Sequence, residues 1–407
     1  MRQFLFILCF LVSIVAESQS AFTIFNADNS DLPDNLINVI YIDNDNIKWI
    51  GTQNGLVKID IDDIWTIYNT TNSGLTDNDI RAIFMDEDNI LWIGTYTKGL
   101  VKHDDDWTIY DPLNSLIPDY HVRSINKDIN DTMWIGTTGG LAKWDGANFW
   151  YTYKVENSEL LGENIPDIYI DENNIKYIGT INGGMSIYNN GVITTFKTNN
   201  SAISDNTVLA IDEDADHNKW IATSFGGLNI YTPGEVFLNF TPLTSYISDW
   251  SVNDVIIDNE NVGVLAMSSY GINIFDNINW SEFTEDNSDL PDNFLKTVAV
   301  DQANKIWIGT ESAGVVVFDR TLFESVNNIN NLQISVFPNP ISSYLIISGN
   351  IQEGEIIIYN IEGKIVLNQK IASNSTIIDI KDYISGNYFI KISDNKNTVI
   401  KHIVVIR

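Results

Sequence analysis

The sequence predicts an all-β chain. A seven-bladed β-propeller, its last blade closed by the N-terminal strand, is followed by a small C-terminal Ig-like β-sandwich. Three observations predict this. The segment Trp49-Ile50-Gly51-Thr52 returns at Trp92, Trp134, Tyr177, Trp220, Val264 and Trp307, at intervals of 42 to 44 residues. A unit that short cannot bury its apolar face alone, and strand-rich units of this length suit a ring of four-stranded blades. The pattern begins one strand early, because Phe22-Thr23-Ile24-Phe25 sits 43 residues before Trp65-Thr66-Ile67-Tyr68. After Phe318 the period stops, and short apolar runs alternate with turns up to the C-terminus.

Each unit can be read in order from its Trp. Twelve residues upstream stand Ile37, Ile80, Val122, Ile165, Val208, Val252 and Leu295, and nine upstream Ile40, Ile83, Ile125, Ile168, Ile211, Val255 and Val298. These apolar β-formers mark a first strand. Six upstream, Asp occurs in every copy: Asp43, Asp86, Asp128, Asp171, Asp214, Asp258 and Asp301. Three upstream come Asn46, Asn89, Asp131, Asn174, His217, Asn261 and Asn304, which are types that tolerate positive φ. An Asp able to bond its own turn, followed by a left-handed residue, predicts a tight hairpin into the Trp strand. A Gly-containing turn, a third strand such as Leu56 to Ile59, and a fourth such as Trp65 to Tyr68 complete the unit. A loop of the type Asn29-Ser30-Asp31-Leu32-Pro33-Asp34-Asn35 leads to the next.

The seventh unit has three good strands ending at Phe318 but no convincing fourth, so the N-terminal strand is expected to complete it and remove an open edge. Each buried Trp hides about 150–250 Å², worth ~4–6 kcal/mol as an upper bound. Val264 lacks the indole, so the sixth blade is expected to be the weakest.

Composition narrows the function. The chain has 407 residues and a net charge of −31. Nearly all of that charge lies in residues 21–331, since residues 332–407 hold seven bases and six acids. Nucleic acid is excluded as a partner, because phosphate binding needs a basic footprint. Met1-Arg2 and the apolar run Phe4 to Ala16 read as a secretory signal peptide over residues 1–20. That run is too short to span a bilayer, and no other stretch could cross one, so no membrane span is expected in the mature chain. The single cysteine, Cys9, would leave with the signal, and the mature chain would hold no disulfide.

The expected domains are thus the signal at 1–20, the propeller at 21–320, an Asn-rich linker at 321–331 and the sandwich at 332–407. In the last, Phe337-Pro338-Asn339-Pro340, Tyr359-Asn360-Ile361-Glu362-Gly363-Lys364, Ser385-Gly386-Asn387-Tyr388 and a basic C-terminal strand follow in order. This resembles the C-terminal sorting domain of type IX secretion cargo in Bacteroidota. The resemblance implies the type IX secretion machinery as a partner, and a product secreted or held at the surface of a Gram-negative cell. The repeats resemble two-component-regulator propeller repeats of periplasmic sensors, whose Asp-x-x-Gly-x-Leu-Trp-Ile-Gly-Thr motif appears here with Asn, Asp or His at the Gly position. The resemblance implies ligand binding; no kinase or receiver sequence follows to carry signalling.

In propellers of this strand order, the loop from fourth to first strand and the loop from second to third strand share one face, which usually carries the ligand site. Informative residues there are the ones that break the repeat. Eleven before the Trp the series reads Asn38, Arg81, Arg123, Pro166, Leu209, Asn253 and Lys296. Arg81, Arg123 and Lys296 are bases in an acidic domain, and His121 is the one histidine expected on this face. Tyr96, Lys98, Tyr120, Phe225, Trp250 and Tyr270 fall on its loops. Aromatic planes with a few charges suit a sugar ring or an acidic group, so an extracellular glycan or protein is the expected ligand. Two alternatives stay open: a polysaccharide lyase or hydrolase using carboxylates on the same face, and a scaffold joining surface proteins. No nucleophile, zinc or phosphate-loop motif is present, and no cofactor is implied. Asp212, Asp214 and Asp216 alternate like a calcium loop but lack its Gly and its final Glu, which makes them a weak metal candidate.

Overall fold

Asn46, Asn89, Asp131, Asn174, His217, Asn261 and Asn304 all adopt φ of 60–63°, so every unit turns at the position the repeat marks. In each, the upstream Asp accepts hydrogen bonds from backbone N–H groups two and four residues on, as Asp43 does from Asp45 and Ile47. The same carboxylate has a second task that the sequence reading did not assign. Its other oxygen accepts the indole N–H of the repeat Trp at 2.9–3.1 Å, from Trp49, Trp92, Trp134, Trp220 and Trp307. Asp and Trp therefore act as one device that fixes the hairpin and satisfies a buried donor together. In the fourth unit Tyr177 O–H takes the indole's place at 3.4 Å. In the sixth, where Val264 offers no donor, Arg320 Nη1 reaches Asp258 at 2.9 Å.

These contacts come from a computed structural model. It describes residues 20–147, 149–276 and 280–322, and within the C-terminal part 334–337, 341, 344–349, 354–360, 363–371, 375–393 and 398–405. Residues 1–19 of the expected signal segment, with Cys9, most of the linker, residues 338–340 of the first sorting motif and 361–362 of the second lie outside the described residues. Two compact units divide after Arg320.

The first unit is a propeller of seven four-stranded antiparallel sheets. Their first strands are Ile37–Ile42, Ile80–Met85, Val122–Lys127, Asp167–Ile170, Val208–Glu213, Val252–Ile257 and Leu295–Val300. They define blades one to seven. Each first strand neighbours that of the next blade, and the seventh returns to the first. The N-terminal strand Phe22–Phe25 pairs with Val315–Phe318 as the outer strand of blade seven, in the register Phe22 to Phe318 and Phe25 to Val315. The ring is closed by joining the two ends of the repeat region.

The core lies between blades. Trp49 packs with Leu75, Ile80 and Ile93 of blade two, and Trp134 with Ile165, Ile168 and Ile178 of blade four. The motif Gly is set by the same approach: a Cβ on Gly51 would meet Val39 at 2.7 Å and Ile80 at 2.9 Å. The motif Thr closes the following turn, with Oγ1 donating to a Gly carbonyl at 2.6–2.8 Å in six blades.

The C-terminal unit forms two antiparallel sheets. Ile334–Phe337, Tyr344–Gly349 and Ser375–Asp379 make one; Ile365–Ile371, Gly354–Asn360, Gly386–Ser393 and Thr398–Val405 make the other. One apolar cluster joins them, with Leu345 and Ile347 from the first and Ile356, Ile358, Ile390 and Ile403 from the second.

Candidate functional site

The residue eleven before the Trp is special for a physical reason. In six blades the pairing of first and second strands slips by one residue at that point, between Ile37 and Val39, Ile80 and Ala82, Val122 and Ser124, Val208 and Ala210, Val252 and Asp254, and Leu295 and Thr297. A β-bulge leaves the extra residue out of the ladder and re-aims its side chain. In blade four Pro166 holds the place and the strand begins after it. The bulged residues Asn38, Arg81, Arg123, Leu209, Asn253 and Lys296, with Pro166, ring a cavity of about 600 Å³ on the axis. That volume fits a small ligand or one or two sugar rings.

Blades two and three supply its basic wall. Arg81 Nη2 donates to Asp79 Oδ2 at 2.8 Å, and its Nε lies 2.6 Å from Oδ1 without pointing its hydrogen there. The Arg81 guanidinium also rests 4.9 Å from the Tyr96 ring centre. His121 meets Tyr96 edge to face at 4.5 Å. Arg123 Nη1 donates to the uncharged Asn164 Oδ1 at 2.7 Å. Burial, then the nearby Arg123 and Arg81, push the His121 pKa down to about 4, so its ring is neutral at pH 7. Lys296 lines the same cavity and lies 3.6 Å from Glu311.

Blades four to six supply acids. Asp167, Asp212 and Asp254 line the cavity, and sequence reading did not assign them there. The signal existed: Asp167 and Asp254 stand ten before the Trp, where blades one, two and five carry Val39, Ala82 and Ala210. Each carboxylate accepts a backbone N–H from the first strand of the next blade: Ile211 at 2.7 Å, Ile257 at 2.6 Å and Val298 at 2.9 Å. The acids thus cap the exposed inner edges of the sheets. Asn38, Asn126 and Asn253 do the converse, donating to the carbonyls of Ile80, Ile168 and Leu295.

Burial raises the pKa of Asp167 and of Asp212 to about 7, and that of Asp254 to about 6; Asp254 also acts on the other two as a like charge. An acid whose pKa rises on folding binds more protons folded than unfolded between roughly pH 4 and its folded pKa, so stability falls as pH rises through that window. His121, with a lowered pKa, acts oppositely below pH 6.5. With three acids against one histidine, the melting temperature is expected to fall from pH 5 to pH 8. Asp167→Asn should flatten the slope, and a rise in calorimetric melting temperature over that range would contradict the assignment.

The remaining residues expected at the site divide. Tyr96 joins the basic wall. Lys98, Tyr120, Phe225, Trp250 and Tyr270 are exposed on the shared loop face and do not line the cavity. Trp250 is joined to the Phe225 loop through Gly227 N–H to its carbonyl at 2.8 Å. Most loop-face acids are already committed. Asp34, Asp77, Asp205, Asp249 and Asp292 each accept from the second-to-third-strand loop of their own blade. Asp212, Asp214 and Asp216 diverge: the first caps Ile257, the second holds its turn and Trp220, and the third is exposed. Among the described residues no group of acids and histidines has metal-binding geometry.

Comparison with known proteins places this geometry. Residues 335–406 match the secretion system C-terminal sorting domain, and residues 74–97 match the two component regulator propeller. The chain is a secreted or cell-surface propeller of Bacteroidota with a type IX sorting domain. A type IX sorting domain implies the type IX secretion machinery, and among the described residues no helix is long and apolar enough to cross a membrane. No curated protein matches it in sequence. The extracellular domain of the putative hybrid two component system BT4673 from B. thetaiotaomicron is similar at TM-score 0.62 and 16% identity, over 95% of this chain and 60% of that one. PorZ, an essential surface component of the type IX secretion system of Porphyromonas gingivalis, is similar at TM-score 0.59 and 17% identity, over 92% and 60%. The propeller therefore spans, with its sorting domain, about three fifths of either protein's length. Virginiamycin B lyase from Staphylococcus aureus shares the fold at TM-score 0.58 and 15% identity, over 73% of this chain and 98% of the lyase.

Proposed function

We propose that the propeller is a non-enzymatic binding module whose site is the axial cavity and its loop-face rim, recognising an extracellular glycan or protein ligand. The observation that carries the reading is the ring of bulged residues. The fold turns six side chains out of their ladders, and sets Pro166 in the equivalent place, around one cavity, and the sequence varies them while holding the surrounding frame nearly constant. Variation at the re-aimed position and constancy elsewhere is what a recognition surface on a repeat scaffold requires. The exposed rings of Tyr120, Phe225, Trp250 and Tyr270 extend that surface on the same face.

Lyase or hydrolase chemistry draws less support, because the loop-face carboxylates it would use already accept backbone and side-chain donors. A glycan array probed with the full chain, wild type against Arg81→Ala/Arg123→Ala, tests the reading. Binding by wild type, weakened at least tenfold in the double variant, is the expected result. Undiminished binding by the variant would move the site elsewhere, and product release from a bound polymer would favour the enzyme.

A further inference from the structure

We propose that the cavity mouth at blades two and three is an oxyanion site, seating the carboxylate or sulfate of an acidic glycan on the Arg123 guanidinium. This deepens the binding reading above and rests on it. Charge accounting at the mouth is the first support. Arg81 is matched by Asp79, which also accepts Asn38 Nδ2 at 3.1 Å. Arg123 has no such match. Its one bond in the structure goes to the neutral Asn164, and among the described residues no carboxylate lies within ion-pair distance of it. Burial, and then the field of a second cation, Arg81, lower its own pKa.

A half-buried charge without a counter-ion is costly to a fold. In a chain with 54 acids against 23 bases, a carboxylate partner was readily available, yet an amide stands there. Arg123 lines the cavity, and beyond the Asn164 bond its planar fork of donors is left for an oxyanion. The neutral His121 ring beside it adds hydrogen-bonding capacity without competing charge. Asp212 and Asp254 line the cavity from blades five and six, on the far side of the ring, and disfavour an anion there, which confines it to the basic wall.

A second, independent observation points to a sugar as the carrier. Fourteen residues before the Trp, Asn35, Asn78, Asn206 and Asn293 each accept a backbone N–H from the preceding loop and clamp it. Tyr120 and Trp250 occupy that place in blades three and six. They give up the clamp and present rings that are 37% and 40% exposed on the ligand face. Of the two, Tyr120 stands on blade three with Arg123, and an exposed aromatic plane on the same blade as a cationic wall matches a saccharide bearing an acidic group.

The test titrates the full chain by calorimetry with tri-galacturonate, its methyl ester, galactose 6-sulfate and a hexaglutamate peptide. An acidic sugar is expected to bind at least tenfold more tightly than the ester; which acidic sugar binds better distinguishes carboxylate from sulfate. Arg123→Met should abolish the preference while leaving the melting temperature unchanged or higher, since an unmatched charge is removed. Arg123→Lys should retain part of it. Anion binding should also raise the His121 pKa, read by NMR, because the anion offsets the field of Arg81 and Arg123 beside it and adds to that of Asp119. Equal affinity for acid and ester, or a fall in melting temperature in Arg123→Met without loss of preference, would overturn the anion site. If both sugars bind equally and Arg81→Ala/Arg123→Ala loses both, the binding reading survives without the anion. Tighter binding of hexaglutamate than of either acidic sugar would overturn the glycan assignment in favour of an acidic peptide.

Discussion

Deletion of residues 21–26 is expected to lower the melting temperature by about 10 °C or more and to make the chain aggregate. The removed strand supplies two aromatic anchors. Phe22 is buried and stacks on Phe318 at 4.5 Å with an edge contact to Phe283 at 6.1 Å. Phe25 packs between Trp65 at 5.5 Å and Trp307 at 6.5 Å, so it bridges blades one and seven. Truncating a buried Phe costs about 3–5 kcal/mol, and each kcal/mol moves the midpoint of a large domain by about 2–4 °C. The backbone bonds of the strand, and the Asp319 N–H to Ala21 carbonyl bond at 2.8 Å, go with it. What remains is the all-apolar edge Val315–Phe318, an open template for pairing with other chains. Differential scanning calorimetry and light scattering check both outcomes. An unchanged midpoint would mean that the ring closes without its N-terminal strand, and Phe22→Ala alone should give roughly half the effect.

How much of this was legible follows from what a sequence records. Spacing is recorded, so the period, the seven left-handed hairpin residues and the place of Phe22–Phe25 as the missing fourth strand of blade seven could be read directly. Each is a local chemical preference repeated at a fixed distance. Partnership across strands is not recorded. The hairpin Asp could be assigned to its own turn, but its bond to the indole six residues later depends on the hairpin folding back. Likewise Arg81, Arg123 and Lys296 stood out as departures from the repeat, while the bulge that aims them inward exists only in the pairing of two strands. Asp167 and Asp254 were overlooked because acids are abundant in this chain, and abundance hides the few that face inward. Phe225, Trp250 and Tyr270 could be assigned to their loops from the repeat, but whether those loops reach the cavity depends on how the backbone turns, which composition does not reveal.

Asp128→Ala is expected to destabilise the propeller by about 3–5 kcal/mol, the usual consequence of leaving a buried charge without its partner. Four groups converge on this carboxylate. Asn130 and Thr132 N–H donate at 2.9 and 3.2 Å, Trp134 Nε1 at 3.0 Å, and Lys176 Nζ from the next blade lies at 2.8 Å. Both side chains of the Asp128–Lys176 pair are only 4% exposed, so water cannot replace either partner. Lys176 would keep its bonds to Asn174 and its position over the Trp134 ring, but its charge would stand unmatched between blades three and four. If the unmatched ammonium is the main penalty, Lys176→Met in the same chain should recover at least about 1 kcal/mol, a coupling typical of residues in direct contact. A double variant no more stable than Asp128→Ala would instead trace the loss to the hairpin and indole bonds.

The pH dependence separates this pair from the cavity acids. Burial opposes ionisation of Asp128, but hydrogen bonds from Lys176 and Trp134 outweigh it and hold the carboxyl below the usual range. A lowered pKa gives stability that is present above the unfolded value and lost as pH falls through the folded one. Wild type should therefore lose this contribution only in the acid limb, below about pH 4, whereas the cavity acids weaken the fold as pH rises above that point. Asp128→Ala should lower the midpoint at pH 7 and converge toward wild type in acid. A constant gap between the two across pH 2–7 would show that the carboxylate's charge is not what holds blades three and four together.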